Sequence, residues 1–64
     1  MKYNIGDIIE GYYNPGMKVY LLIEDIIYAN KVEPGLYSVR NLNENMTYDK
    51  SIRTIDNGYY RKIA

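Results

Sequence analysis

The chain has 64 residues, with eight basic and eight acidic side chains and neither cysteine nor histidine. This length allows one domain, here residues 1–64, and the even charge argues against a dedicated nucleic-acid binder, which needs basic residues for phosphate contacts. Without histidine and cysteine, the commonest general base and the soft metal ligands are missing. We therefore expect no enzyme, no metal site and no cofactor.

The lengths of the apolar runs indicate where in the cell the protein is expected. Residues 1–7 lack the apolar run of a signal peptide. The longest apolar stretch, residues 19–23, is far too short to span a bilayer. We expect a soluble, cytoplasmic protein that has no membrane partner.

Turn-forming residues divide the chain at short intervals. Proline, glycine and asparagine suit tight turns, and they recur at residues 14–16, 33–35, 41–45 and 56–58. The segments between them are rich in β-branched and aromatic residues, which suit strands. The pattern predicts strands over residues 7–13, 17–28, 36–41, 46–50 and 59–63.

The second predicted strand has a break in its alternation. Apolar residues alternate over 19–23, and then Ile26 and Tyr28 fall out of phase after Glu24-Asp25. A β-bulge at Glu24-Asp25 would restore the register and bend the strand. Because neighbouring strand residues point to opposite faces, these two carboxylates do not chelate one ion easily, and we expect a solvated bulge.

A helix is an open alternative for residues 17–30. The apolar positions in this segment also fit the spacing of one helix face, and Asn14 before Pro15 resembles a helix start. Gly16 in the first turn and the density of isoleucine, valine and tyrosine oppose a helix. The strand is the favoured interpretation.

Near the C-terminal end, Ile52 and Ile55 are three residues apart, which predicts a single 3₁₀ turn with both side chains toward the core. An opening Gly6-Asp7-Ile8-Ile9 and a strand at residues 37–40 precede this turn, and residues 59–63 close the chain. This order of elements resembles SH3-like barrels, and more narrowly the small SH3-like proteins that bacteriophages encode. The resemblance implies a mainly β fold: a small barrel of about five strands with a short 3₁₀ turn before the last strand.

Nine tyrosines are a large aromatic load for 64 residues, and several alternate with arginines in the C-terminal half. A tyrosine ring offers a stacking face, and arginine offers a planar fork for carboxylate or phosphate. The alternative is a structural role, in which the rings form the outer layer of a small core. The candidate binding patch comprises Tyr37, Arg40, Tyr48, Arg53, Tyr59, Tyr60 and Arg61.

Two functions follow as hypotheses. The first is a binding module, phage-encoded as the resemblance implies, that binds and modulates or inhibits a host protein, such as a defence component. The second is a small-ligand binder, a homo-oligomer that sequesters a nucleotide signal. A nucleic-acid-binding SH3-like domain of the KOW type ranks lower, because the charge is even and the basic glycine-containing loop is missing.

Overall fold

The computed structural model describes residues 1–14 and 16–64. The turn predicted at residues 14–16 includes Pro15 and so lies outside the described residues. The elements, in chain order, are β1 (Ile8–Asn14), β2 (Met17–Tyr28), β3 (Pro34–Asn41), β4 (Met46–Ser51), the one-turn helix α1 (Ile52–Ile55) and β5 (Arg61–Lys62).

The five strands form one antiparallel sheet in the order β4-β3-β2-β1-β5. The expectation of a mainly β fold is confirmed. Within the described residues β4 and β5 lie at opposite ends of the sheet and do not pair, so the sheet is open rather than closed into a barrel.

The strand interpretation of residues 17–28 is confirmed, and the helix alternative is wrong. This segment is the central strand and pairs with β1 on one side and β3 on the other, so tertiary pairing overrides its helix-compatible spacing. The predicted bulge is present, because Ile23 lies opposite Val39 while Asp25 lies opposite Ser38. The extra residue shifts the phase, so that Ile26 packs against the same core as Ile23.

Two local predictions near the C-terminal end need correction. The predicted 3₁₀ turn is a turn of α-helix, because the Asp56 N–H donates to the Ile52 carbonyl four residues back. The Ser51 hydroxyl caps this turn by accepting the Thr54 N–H at 3.1 Å. The last strand is shorter than predicted and covers only Arg61–Lys62. Before it, the Tyr59 N–H donates to the Asn57 side chain, a local turn that delays pairing.

The core lies on one face of the sheet. The alternating residues of the central strands supply most of it, and the N-terminal segment and α1 cover it from above. Ile55 of α1 is fully buried, and Ile52 is partly buried against the same cluster. The buried apolar residues are Tyr3, Ile9, Val19, Leu21, Ile23, Tyr37, Val39 and Ile55.

Truncation of a buried residue on β2 should cost far more than truncation of an exposed one on the same strand. Ile23 is 0% exposed and Ile27 is 38% exposed. We expect Ile23→Ala to lower the free energy of unfolding by about 2–5 kcal/mol, because it leaves a cavity in the core. The matched variant Ile27→Ala should cost less than half as much, and urea unfolding measures both. Equal losses would contradict this description of the core.

Candidate functional site

A small cleft opens on the core face of the sheet, beyond the part that the N-terminal segment and α1 cover. We call it the tyrosine cleft. Its volume is about 120 Å³. It is lined by Val19, Leu21, Asn41, Glu44, Tyr48, Lys50 and Tyr60.

The floor and the first wall of the cleft follow from strand register. Val19 and Leu21 alternate on β2 and point to the core face. Asn41 of β3 lies opposite Leu21, and Tyr48 of β4 lies opposite the buried Val39. Cross-strand neighbours on one face are close enough to touch, so these side chains converge from three adjacent strands.

Tyr60 forms the opposite wall because Gly11 leaves room for its ring. The register of β5 on β1 pairs Glu10 with Arg61, which brings Tyr60 alongside Gly11. A Cβ atom at residue 11 would lie only 2.5 Å from two ring carbons of Tyr60. Any other residue at this position would push the ring out of its place. The Tyr3 hydroxyl also donates to the Tyr60 carbonyl at 3.0 Å, which fixes the backbone of this wall.

Two exposed methionines flank the cleft on the same face. Met17 precedes Val19 by two residues on β2, and Met46 precedes Tyr48 by two on β4, so the period of the strands places them beside the cleft. They are 58% and 54% exposed. The Met46 sulfur is 3.6 Å from the Tyr48 hydroxyl oxygen.

The polar groups of the cleft are held in fixed positions. The Tyr48 hydroxyl donates to the Glu44 carboxylate at 3.0 Å, and the Lys50 ammonium lies 5.4 Å from the centre of the Tyr48 ring. The Asn41 side-chain oxygen accepts from the backbone N–H groups of Asn43 and Glu44 at 2.9 and 3.2 Å. The cleft thus has an apolar floor and aromatic walls, with one cation and one carboxylate at its rim.

The structure brings together only part of the predicted patch. Tyr48 and Tyr60 face each other across the tyrosine cleft. Tyr59 is 78% exposed and does not line it. Arg53 lies on α1, beside a shallow depression of about 530 Å³ next to the start of β3. The predicted residues are therefore distributed over several surfaces.

Tyr37 belongs to the core and not to a surface. Its side chain is 0% exposed, and its ring packs against Tyr3 with centroids 6.2 Å apart. Its hydroxyl donates to the Asp56 carboxylate at 2.8 Å and accepts the Tyr3 N–H at 3.2 Å. The other oxygen of Asp56 accepts the Lys2 N–H at 3.0 Å. Burial, with Asp56 as acceptor, raises the pKa of Tyr37 to about 12.

Arg40 and Arg61 lie on the outer face of the sheet and are engaged by carboxylates. The Arg40 Nε atom donates to Glu24 at 2.9 Å, and the Arg61 Nε atom donates to Glu10 at 2.9 Å. The hydrogen bond from Arg61 lowers the pKa of Glu10 below its ordinary value, although burial acts in the opposite direction. These two arginines join neighbouring strands across the face that lies opposite the cleft.

Several residues in or beside the cleft were not among the candidates from sequence. Gly11, Asn41, Met17 and Met46 carry no motif, and their place depends on strand register. The one available signal is the alternation within β2 and β4, which puts each methionine on the face of Val19 or Tyr48.

Comparison with known proteins yields no match to a protein family, a curated protein or a solved structure. Across residues 1–14 and 16–64, no helix is long and apolar enough to cross a membrane. The same residues contain no group of three acidic side chains placed to hold a metal ion. We therefore infer the function of the chain from the geometry of the cleft.

Removal of the Tyr37 hydroxyl should weaken the fold in a pH-dependent way. The folded-state pKa of about 12 lies above the ordinary value of 10.0, so the contribution is full below pH 10.0 and is lost as pH rises toward 12. We expect Tyr37→Phe to cost about 1–2 kcal/mol at neutral pH and to flatten the alkaline loss of stability. Urea unfolding across this pH range measures both effects. Tyr59→Phe is the exposed control, and an equal change in the two variants would contradict the assignment.

Proposed function

We propose that this chain is a small, non-catalytic binding module that receives one apolar side chain of a partner protein in the tyrosine cleft. The observation that carries the proposal is the pairing of Tyr48 and Tyr60 across an apolar floor at the surface. Tyrosine is enriched among the residues that dominate binding energy at protein interfaces.

The methionines beside the cleft support the same function. Methionine is flexible and polarizable, so it adapts to the shape of an incoming side chain, and it is enriched at interfaces. Met17 and Met46 are more than half exposed although both lie on the core face of the sheet. A partner that covers the cleft would bury both.

The size of the cleft favours a protein side chain over a nucleotide. Small-molecule sites in proteins measure roughly 300–1,000 Å³, because they must enclose most of the ligand. The tyrosine cleft measures about 120 Å³ and offers one ammonium, that of Lys50. Arg40 and Arg61, which would suit phosphate, are bound to carboxylates on the other face. The tyrosine cleft thus gives more support to the binding module than to the nucleotide sequestration hypothesis.

The architecture supports an SH3-like fold as part of this proposal. The meander places β5 next to β1, the bulge at Glu24 bends the central strand, and a single helical turn precedes the last strand. Each of these features is expected of an SH3-like chain. The open sheet leaves the cleft accessible at the side where a closed barrel would be sealed.

The origin and the partner follow from the resemblance. We take the chain to be phage-encoded, and its partner to be a host protein in the host cytoplasm, whose activity it modulates or inhibits. A gene neighbourhood without phage genes would count against this part of the proposal and would leave the cleft itself untouched.

The binding function can be tested with peptides selected by display against the immobilised chain. We expect selected peptides to share one large apolar residue and to bind Met46→Ala about fivefold to tenfold more weakly, since loss of a contacting side chain beside the cleft should cost about 1 kcal/mol. Calorimetry or fluorescence anisotropy gives the dissociation constants.

Tyr59→Ala is the matched control for this test, because Tyr59 is an exposed apolar residue outside the cleft. Its affinity should stay within a factor of two of the unmodified chain. Equal losses in the two variants, or a larger loss in Tyr59→Ala, would refute the cleft as the binding site.

A further inference from the structure

The outer edge of β4 is unpaired in the structure. Met46–Ser51 pairs with β3 on one side, and no described strand lies on the other. Five of its six residues are exposed, and only Tyr48 is partly buried. Such an edge presents backbone donors and acceptors that can pair with another strand.

The backbone groups at this edge belong to Thr47 and Asp49. The Leu42 N–H donates to the Tyr20 carbonyl of β2, whereas the Asn41 carbonyl accepts from Asn45 on the side of β4. The backbone N–H and C=O groups of alternate residues of β3 therefore point toward β4, and Val39 is one of these residues. The backbone groups of its partner Tyr48 point back toward β3. Those of the neighbouring residues Thr47 and Asp49 therefore point outward, away from the sheet.

Of the two registers centred on the middle residues of β4, Tyr48 and Asp49, only the one centred on Tyr48 keeps like charges apart. Two copies of β4 can pair antiparallel about a two-fold axis. The side chains of opposite residues then lie on the same face of the sheet, and the outward backbone groups of one copy must lie opposite those of the other. An axis at Tyr48 sets Thr47 opposite Asp49 of the second copy, an uncharged hydroxyl against a carboxylate. An axis at Asp49 sets the two Asp49 carboxylates against each other, which is unfavourable.

We propose that two copies of this chain pair through their β4 edges about a two-fold axis at Tyr48, forming a continuous ten-stranded sheet. The two Tyr48 residues then form a pair without direct backbone hydrogen bonds, in which side chains are closest, and aromatic pairs are favourable there. Thr47 and Asp49 exchange backbone hydrogen bonds on both sides of the axis. Met46 lies opposite the long side chain of Lys50.

The second edge of the sheet does not offer an equal partner. β5 is two residues long, Arg61–Lys62, and both side chains are charged and exposed. Short, charged edge strands resist pairing. A closed dimer is thus favoured over a head-to-tail chain of β4 on β5.

The dimer makes each tyrosine cleft part of a larger surface. Tyr48 lines the cleft and also lies at the axis, so the two clefts open on the same face on either side of it. The partner copy contributes its own Tyr48 and Met46 beside each cleft. This inference does not depend on the proposed function, because pairing needs no third molecule.

Sedimentation velocity of the unmodified chain tests the pairing directly. We expect a concentration-dependent shift from 7.5 kDa to twice that mass between micromolar and millimolar concentrations. Asp49→Pro removes an outward N–H without touching the bonds to β3, and should weaken dimerization at least tenfold while the chain stays folded by circular dichroism. A monomer at every concentration, an assembly larger than a dimer, or an unaltered dimer in Asp49→Pro would overturn the proposal.

Engineered cysteines then decide the register, since the chain has none of its own. Tyr48→Cys should form a covalent dimer on mild oxidation, because its two sulfur atoms meet at the axis. In the proposed register, two copies of Asp49→Cys stand too far apart to be bridged readily. Faster cross-linking of Asp49→Cys than of Tyr48→Cys would refute the axis at Tyr48.

Discussion

The hydrogen bonds of the buried Tyr37 hydroxyl hold the cover of the core in place. Through them β3 is joined to the N-terminal segment at Tyr3 and to the end of α1 at Asp56. Tyr3 in turn donates to the Tyr60 carbonyl, which fixes one wall of the tyrosine cleft. Because a buried hydroxyl without a partner is costly, these hydrogen bonds favour the arrangement in which Tyr3 and Asp56 lie against Tyr37. The cleft begins where this cover ends.

The bulge at Glu24 keeps the core residues of β2 on one face of the sheet, on the side of the core opposite this network. Because β2 pairs on both sides, its residues form the floor of the whole core face, and a strand without the bulge would turn Ile26 toward the solvent. With the bulge, one half of the face is filled beneath α1, and the other half ends in Val19 and Leu21 beneath the two tyrosines. One strand thus serves both the stability of the domain and the site proposed for binding. The dimer that we propose would bury further surface at the unpaired outer edge of β4, which a domain this small needs.

Most of the strands and the bulge were predictable from local alternation. Over residues 17–28 the apolar spacing also fits a helix, and pairing with both β1 and β3 decides for the strand. The candidate site was only partly predictable. Tyr37 and Tyr48 both carry a ring and a hydroxyl, but Tyr37 lies on the inner strand β3 against Tyr3 and Asp56, whereas Tyr48 lies on the edge strand β4. The pairing of Arg61 with Glu10 depends on contacts between residues 51 positions apart. The space that Gly11 leaves for Tyr60 depends on the same register, which no local pattern encodes.

In our proposal, the exposed end of the core face binds a partner side chain. The most direct measurement is an NMR titration of the isotope-labelled chain with a display-selected peptide, followed through backbone amide, methyl and aromatic shifts. We predict that the largest changes fall on Val19, Leu21 and the ring protons of Tyr48 and Tyr60. Changes confined to the outer face around Glu10, or to the depression beside Arg53, would contradict it.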